Sequence, residues 1–222
     1  MSGIVIIKES TLKIEESDFP YSLDINGRSD LFKNSIFFDL EHYVYKKPIC
    51  IGVFGAAYYD EESSELKVTQ YMMENKHELE EILKLSKQYF LDMKNKFGKE
   101  YIVTFSGNND FIVIDYLLKK YKLNYILGDY FEGIDLQKKY EQVKKKSIGL
   151  KALECECDIV RESEVISGST LAKTFGKIMK DDNYFSRMPE EKKEKILLYN
   201  MQDVASLFYI YTNWNKYIRD EE

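Results

Sequence analysis

Residues 35–42 read SIFFDLEH. Ile36, Phe37 and Phe38 have the apolar, aromatic character of a strand entering a core, yet Asp39 and Glu41 follow directly. Successive side chains of a strand alternate faces, so Asp39 and Glu41 share one face while Phe38 and Leu40 enter the opposite layer. His42, next along, is expected to face away at the surface. Strand rise puts the Cα atoms of the two acids about 6.5–7 Å apart. Two ionised carboxylates so close repel, and one takes up a proton unless a cation compensates. Hard divalent ions such as Mg²⁺ take oxygen ligands, and two-ion sites hold their metals about 3.5–4 Å apart. A DxE pair at a strand end therefore suits one ion and a share in a second. The competing reading is a strand that simply emerges into solvent at Asp39.

Working outward, ICIGVFGAAYY (49–59) and ELKVTQYMM (65–73) are extended segments rich in β-branched and aromatic residues, which with the first makes a meander of three antiparallel strands. Residues 77–96 place Leu79, Ile82, Leu83, Leu85, Tyr89, Phe90 and Met93 at helical spacing, with Gly98 as a stop. YIVTF (101–105) is a nearly continuous apolar strand, the pattern of a buried one. A polar loop, SGNND, leads to a helix at FIVIDYLLKKY. Further helices are expected near 136–146, 149–157 and 169–180, and a long one over 190–216. Before all this, IVIIKE and TLKIEE read as two short strand pieces ahead of a turn-rich stretch, an extension (1–30) packed on the main domain (31–222).

Two more regions supply acids. Asp110 opens the helix after YIVTF, and Asp115 lies one turn further in. Asp is also a preferred helix cap, so Asp110 is equally at home as a structural residue. Asp203 lies in LLYNMQDVASLF with Tyr199 one turn before it on the same face. Leu197, Leu198, Val204, Leu207 and Phe208 surround that face, and a buried acid there costs free energy unless paired or liganded.

Taken in order, Asp39 and Glu41, then Asp110, then Tyr199 with Asp203 resemble the three motifs of the DEDD (DnaQ-like) exonuclease superfamily. The chain is similar in particular to its YprB-like branch of ribonuclease H-like proteins. FFDLEH resembles the first motif, IVTFSGNNDFIVIDYLLKKY the second, and LLYNMQDVASL the third. IDLQKKY, GLKALECECDIVRE and Ser167-Gly168 resemble the region between. The likeness covers Ile36 to Tyr211. His42-Tyr43-Val44 stand where the family usually has Thr-Thr-Gly, Ser106 replaces an asparagine, one residue before Asp110 is missing, and Tyr199 stands where many relatives have histidine.

The resemblance implies an α/β fold: a ribonuclease H-like mixed five-stranded sheet, three antiparallel strands then parallel ones, flanked by helices, with the short N-terminal β extension. It implies two Mg²⁺ or Mn²⁺ ions held by Asp39, Glu41, Asp110 and Asp203, with Asp115 as the alternative to Asp110. Tyr199 orients the attacking water. The reaction is phosphodiester hydrolysis, from a 3′ end, of a nucleic-acid strand presented as a single-stranded end. Ser106, Asn108 and Lys151 are the candidate substrate contacts. A degraded module that binds nucleic acid or a protein partner, and a hydrolase of small phosphoesters, are the alternatives.

Composition sets the frame. Of 222 residues, 44% are apolar and 14% aromatic, which fits one folded core rather than a disordered chain. A net charge of −6 does not attract polyanions, so nucleic-acid binding has to use a local basic surface or bound cations. The basic run KKYEQVKKKSIGLK (138–151) is either such a surface or a solvated helix face. Cys155 and Cys157 are too close for an ordinary bridge, no CxxC pair exists, and there are two histidines, which makes a structural zinc site a poor fit. With no basic-then-apolar leader and no long apolar run, the expected setting is the cytoplasm, away from membranes.

Overall fold

The computed structural model describes residues 5–15, 18–162 and 166–218. In chain order it comprises β1 (Ile6–Lys13), β2 (Ser35–Tyr45), β3 (Lys47–Asp60), β4 (Glu65–Met72), α1 (Leu79–Asn95), β5 (Tyr101–Thr104), α2 (Asn108–Lys120), β6 (Glu132–Asp135), α3 (Leu136–Lys144), α4 (Leu150–Glu156), α5 (Gly168–Ile178), α6 (Glu190–Thr212) and α7 (Trp214–Tyr217). The strands form one mixed sheet, ordered β1-β4-β3-β2-β5-β6. β1 to β2 pair antiparallel along that order, and β2, β5 and β6 run parallel. This is the expected ribonuclease H-like α/β arrangement.

The sheet carries six strands among the described residues where five were expected. The two N-terminal pieces are one strand, β1, which pairs along all of β4 and satisfies an edge that would otherwise present unpaired amides and carbonyls. β6 escaped the reading of the sequence because it is four residues long, contains Gly133 and buries one apolar side chain, Ile134.

β2 sits at the centre because both its faces are covered. Ile36, Phe38 and Leu40 join the core under α1 and α2, while Phe37 joins the one under α6. Phe38 meets Phe90 of α1 edge-on at 5.4 Å, and Phe37 meets Phe208 of α6 edge-on at 5.3 Å. Alternation along β2 therefore does as expected up to Glu41: apolar side chains to one layer, the two acids toward α6. α1 buries Leu79, Ile82, Leu83, Tyr89, Phe90 and Met93, and the chain turns away at Gly98, whose φ of +62° suits glycine.

One buried base braces this frame away from the acids. Lys99 is buried, and its Nζ donates to the carbonyls of Lys33 at 2.5 Å and Tyr59 at 3.2 Å, tying the entry of β5 to β2 and β3. Burial pushes its pKa down to about 8, against the pull of Glu61 and Asp60. Because the folded value lies below that of the unfolded chain, the unfolded state holds the extra proton between them. Stability should therefore rise as pH goes from about 8 toward 10. Thermal melting across that range, wild type against Lys99→Met, should show the rise in the wild type and not in the variant.

Candidate metal centre

Three elements bring the site together: the distal half of β2, the start of α2, and the middle of α6. Asp39 lies opposite Gly55 of β3, which lies opposite Gln70 of β4, so one row of the sheet reads Asp39, Gly55, Gln70. α6 crosses that row. Asn200 descends onto it, donating Nδ2–H to Asp39 Oδ2 at 3.0 Å and accepting at Oδ1 from Gln70 Nε2 at 2.8 Å. Gln70 Nε2 also donates to the Leu197 carbonyl at 2.8 Å. A Cβ on Gly55 would fall 2.1 Å from Asn200 Oδ1, so glycine is what lets α6 lie this close.

α6 then delivers Asp203 to the same spot. One carboxylate oxygen each from Asp39, Glu41 and Asp203 lies within 4.8 Å of the others. Glu41 and Asp203 are buried, and Asp39 is partly so. Asp110 stands beside this trio rather than in it: buried at the first turn of α2, it feels the charges of Asp39, Asp135 and Asp203. Asp115 faces elsewhere, accepting from the Leu127 amide at 3.0 Å. Asp135 caps α3 and accepts from the Ser106 amide at 3.0 Å.

Burial and mutual repulsion set the protonation of the cluster. Asp39 is pushed up to about 7, by burial and then by Asp203. Glu41 rises to about 10, by burial and then by Asp39, Asp203 and Asp110. Asp110 is raised well above the usual carboxylate range for the same reasons. Asp203 is raised by burial, against the pull of Lys151 and Arg161. Without cations Glu41 therefore holds its proton near neutral pH. The trio's donors are all carboxylate oxygens, the hard ligands that Mg²⁺ or Mn²⁺ prefers, so the residues fit a divalent ion.

His42 departs from expectation. A register shift falls between Glu41 and His42 in the β2–β3 pairing. Instead of pointing to solvent, His42 is half-buried, with Nδ1 3.7 Å from Asp110 Oδ1 and 3.3 Å from the Leu40 carbonyl.

The basic side of the site comes from α4 and the turn after it. Lys151 Nζ and Arg161 Nη2 both donate to Asp203 Oδ1. Arg161 also grips the buried Glu154, Nε to Oε2 at 2.7 Å and Nη2 to Oε1 at 2.5 Å. The Tyr199 ring lies beneath both, with Lys151 Nζ 4.5 Å and the Arg161 guanidinium 5.1 Å from its centre. Burial, then Asp203, Glu41 and Asp39, push the Tyr199 phenol far up, so it stays protonated. Of the expected substrate contacts, Ser106 is exposed with φ +57°, Lys151 is engaged by Asp203, and the side chain of Asn108 lies outside the described residues.

Asn200, Arg161 and Glu154 are additions to the expected set. Arg161 and Glu154 lie in the stretch GLKALECECDIVRE that carries Lys151, and that company is the signal that could have found them. Asn200 adjoins Tyr199, and nothing in an isolated asparagine marks it.

A mixed sheet whose central strand and a late helix converge carboxylates partway along that strand, rather than at its end as the sequence suggested, is the frame of a nuclease-like α/β domain. The RNase_H_2 family model, described as RNase_H superfamily, matches residues 36–215, and the chain belongs to that superfamily. No curated protein and no solved structure matches it. Among the described residues no helix is long and apolar enough to cross a membrane.

Two outcomes follow from the geometry. Gly55→Ala should cost about 1–3 kcal/mol in denaturant unfolding, because the added methyl meets Asn200. For Asp39 and Glu41, the folded values of about 7 and about 10 lie above those of the unfolded chain. Their contribution to stability is thus complete below about pH 4 and is lost as pH rises through the folded values. Saturating Mg²⁺ or Mn²⁺ takes the place of those protons, so the rise in melting temperature it produces should be larger at about pH 8 than at about pH 6.

Proposed function

We propose that this protein is a metal-dependent nuclease, a 3′-5′ exonuclease of the YprB-like branch of the DEDD superfamily, hydrolysing phosphodiester bonds of DNA or RNA by a two-metal mechanism. One observation carries the reading: the oxygens of Asp39, Glu41 and Asp203, from a central strand and a late helix, converge within 4.8 Å. Asp110, buried alongside and coupled to the same charges, supplies the fourth acid.

Each side chain has a role on this reading. Asp39, Glu41, Asp110 and Asp203 hold two Mg²⁺ or Mn²⁺ ions, with Asp39 kept in place by the Asn200 amide. When bound, such ions lower the pKa of a water and offset charge at the scissile phosphate and the leaving oxygen. Tyr199 stays protonated near neutral pH, so it orients the attacking water by hydrogen bonding and is not its base. Ser106, Asn108 and Lys151 contact the strand. Three free cysteines agree with a reducing, cytoplasmic setting.

The test is hydrolysis of end-labelled single-stranded DNA and RNA with Mn²⁺. Mononucleotides should be released from the 3′ end, and Asp39→Asn should lower the rate by on the order of a hundredfold or more. Equal background activity in wild type and variant would sink the enzyme reading and leave a binding module. Turnover of nucleotide esters without turnover of oligonucleotides would instead assign a small-phosphoester hydrolase.

A further inference from the structure

Lys151 and Arg161 meet the same oxygen of Asp203, yet they are built differently. Arg161 has 8% of its side chain exposed and is clamped by both oxygens of Glu154, whose side chain is 3% exposed. Moving it would strand a buried carboxylate, which is strongly unfavourable. Lys151 leaves 29% of its side chain exposed, and its nearest other acid, Glu154, is 3.8 Å away. Its head is a point charge on a flexible stem, with no fork geometry to satisfy. The two cations therefore form one fixed and one mobile counter-charge on a single carboxylate.

Asp203 is also one of the three acids whose oxygens converge. A divalent cation entering that cluster brings positive charge to the carboxylate that Lys151 neutralises. Two cations at one carboxylate repel, and the mobile one yields. We infer that Lys151 is a displaceable counter-ion: in the metal-free protein it holds the place beside Asp203 that a divalent cation takes, and once the cation is bound it turns to a phosphate oxygen of the substrate strand. Arg161 stays, keeping Asp203 oriented through Glu154. The inference rests on the metal-dependent nuclease reading above. It gives the site a way to stay compensated when empty and to gain a phosphate contact when loaded. The exchange breaks the Lys151–Asp203 ion pair and forms a Lys151–phosphate one, with no covalent change.

Titration calorimetry of Mn²⁺ into the metal-free full chain tests the first half, with wild type, Lys151→Met and Lys151→Gln compared after circular dichroism has checked their folding. Removing the competitor should tighten Mn²⁺ binding by roughly 5- to 150-fold, the usual span of a coupling between two binding events. Two replacements of different polarity guard against one of them failing to fold. The second half is read by fluorescence anisotropy of a single-stranded oligonucleotide in saturating Ca²⁺, at several salt concentrations. The variants should bind more weakly, and the slope of log affinity against log salt should shrink by about 0.7. Unchanged or weakened Mn²⁺ affinity would make Lys151 a permanent partner of Asp203 and overturn the exchange. Tighter Mn²⁺ binding with an unaltered salt slope overturns the phosphate contact. Asp39→Asn separates the two levels: if Mn²⁺ binding to the wild type does not depend on Asp39, the nuclease reading itself falls.

Discussion

Three carboxylates converging where α6 crosses β2, with Asp110 beside them, repel one another, and the polar construction of this domain is arranged around that repulsion. Ionised together in a partly dry site, Asp39, Glu41, Asp110 and Asp203 would destabilise the chain that brings them there. Protein groups answer part of it: the Asn200 amide on Asp39, and Lys151 with Arg161 on Asp203. Among the described residues no side chain pairs with Glu41 in this way, and it is pushed up to about 10. Protons or divalent cations can meet the residual imbalance. Strain of this kind is kept where surrounding structure over-determines it.

What over-determines it is the packing of β2 and α6. Phe37 and Phe38 anchor β2 to opposite layers, so the strand cannot rotate to release Asp39 and Glu41 to solvent without exposing one ring or the other. Phe208, Leu207 and Val204 anchor α6 just beyond Asp203. Gly55 removes the side chain that would hold the helix off, and Gln70 fixes the amide of Asn200 so that its N–H, rather than its oxygen, meets Asp39. The site is thus held by elements and not by loops, which favours a fixed geometry.

Which features could be seen in the sequence follows from how local their causes are. The facing of Asp39 and Glu41 is set by strand alternation over three residues, and that of Tyr199 and Asp203 by one helical turn, so both were legible. His42 was placed at the surface because a strand's own pattern does not report what packs over it, and its neighbour Asp110 comes from α2. Asp110 against Asp115 stayed open because their difference is tertiary: one faces β2 and the other holds the 127 amide. The joining of β1 to β4 is likewise a long-range pairing, and β6 is too short to show a period. Arg161 lies beyond the end of α4, where no periodicity reports on direction.

The same geometry bears on how an acidic protein meets a polyanion. With a net charge of −6, and the two cations beside the acids committed to Asp203, the site without metal offers a phosphodiester little attraction. Divalent ions add positive charge there, so on the nuclease reading metal and strand must bind with positive coupling, each strengthening the other by the same factor. A basic surface path of the kind found in sequence-tolerant binders of single strands is then less needed. On the nuclease reading, affinity is concentrated at the metal-loaded centre, and loading of that centre becomes a condition for engagement of the strand.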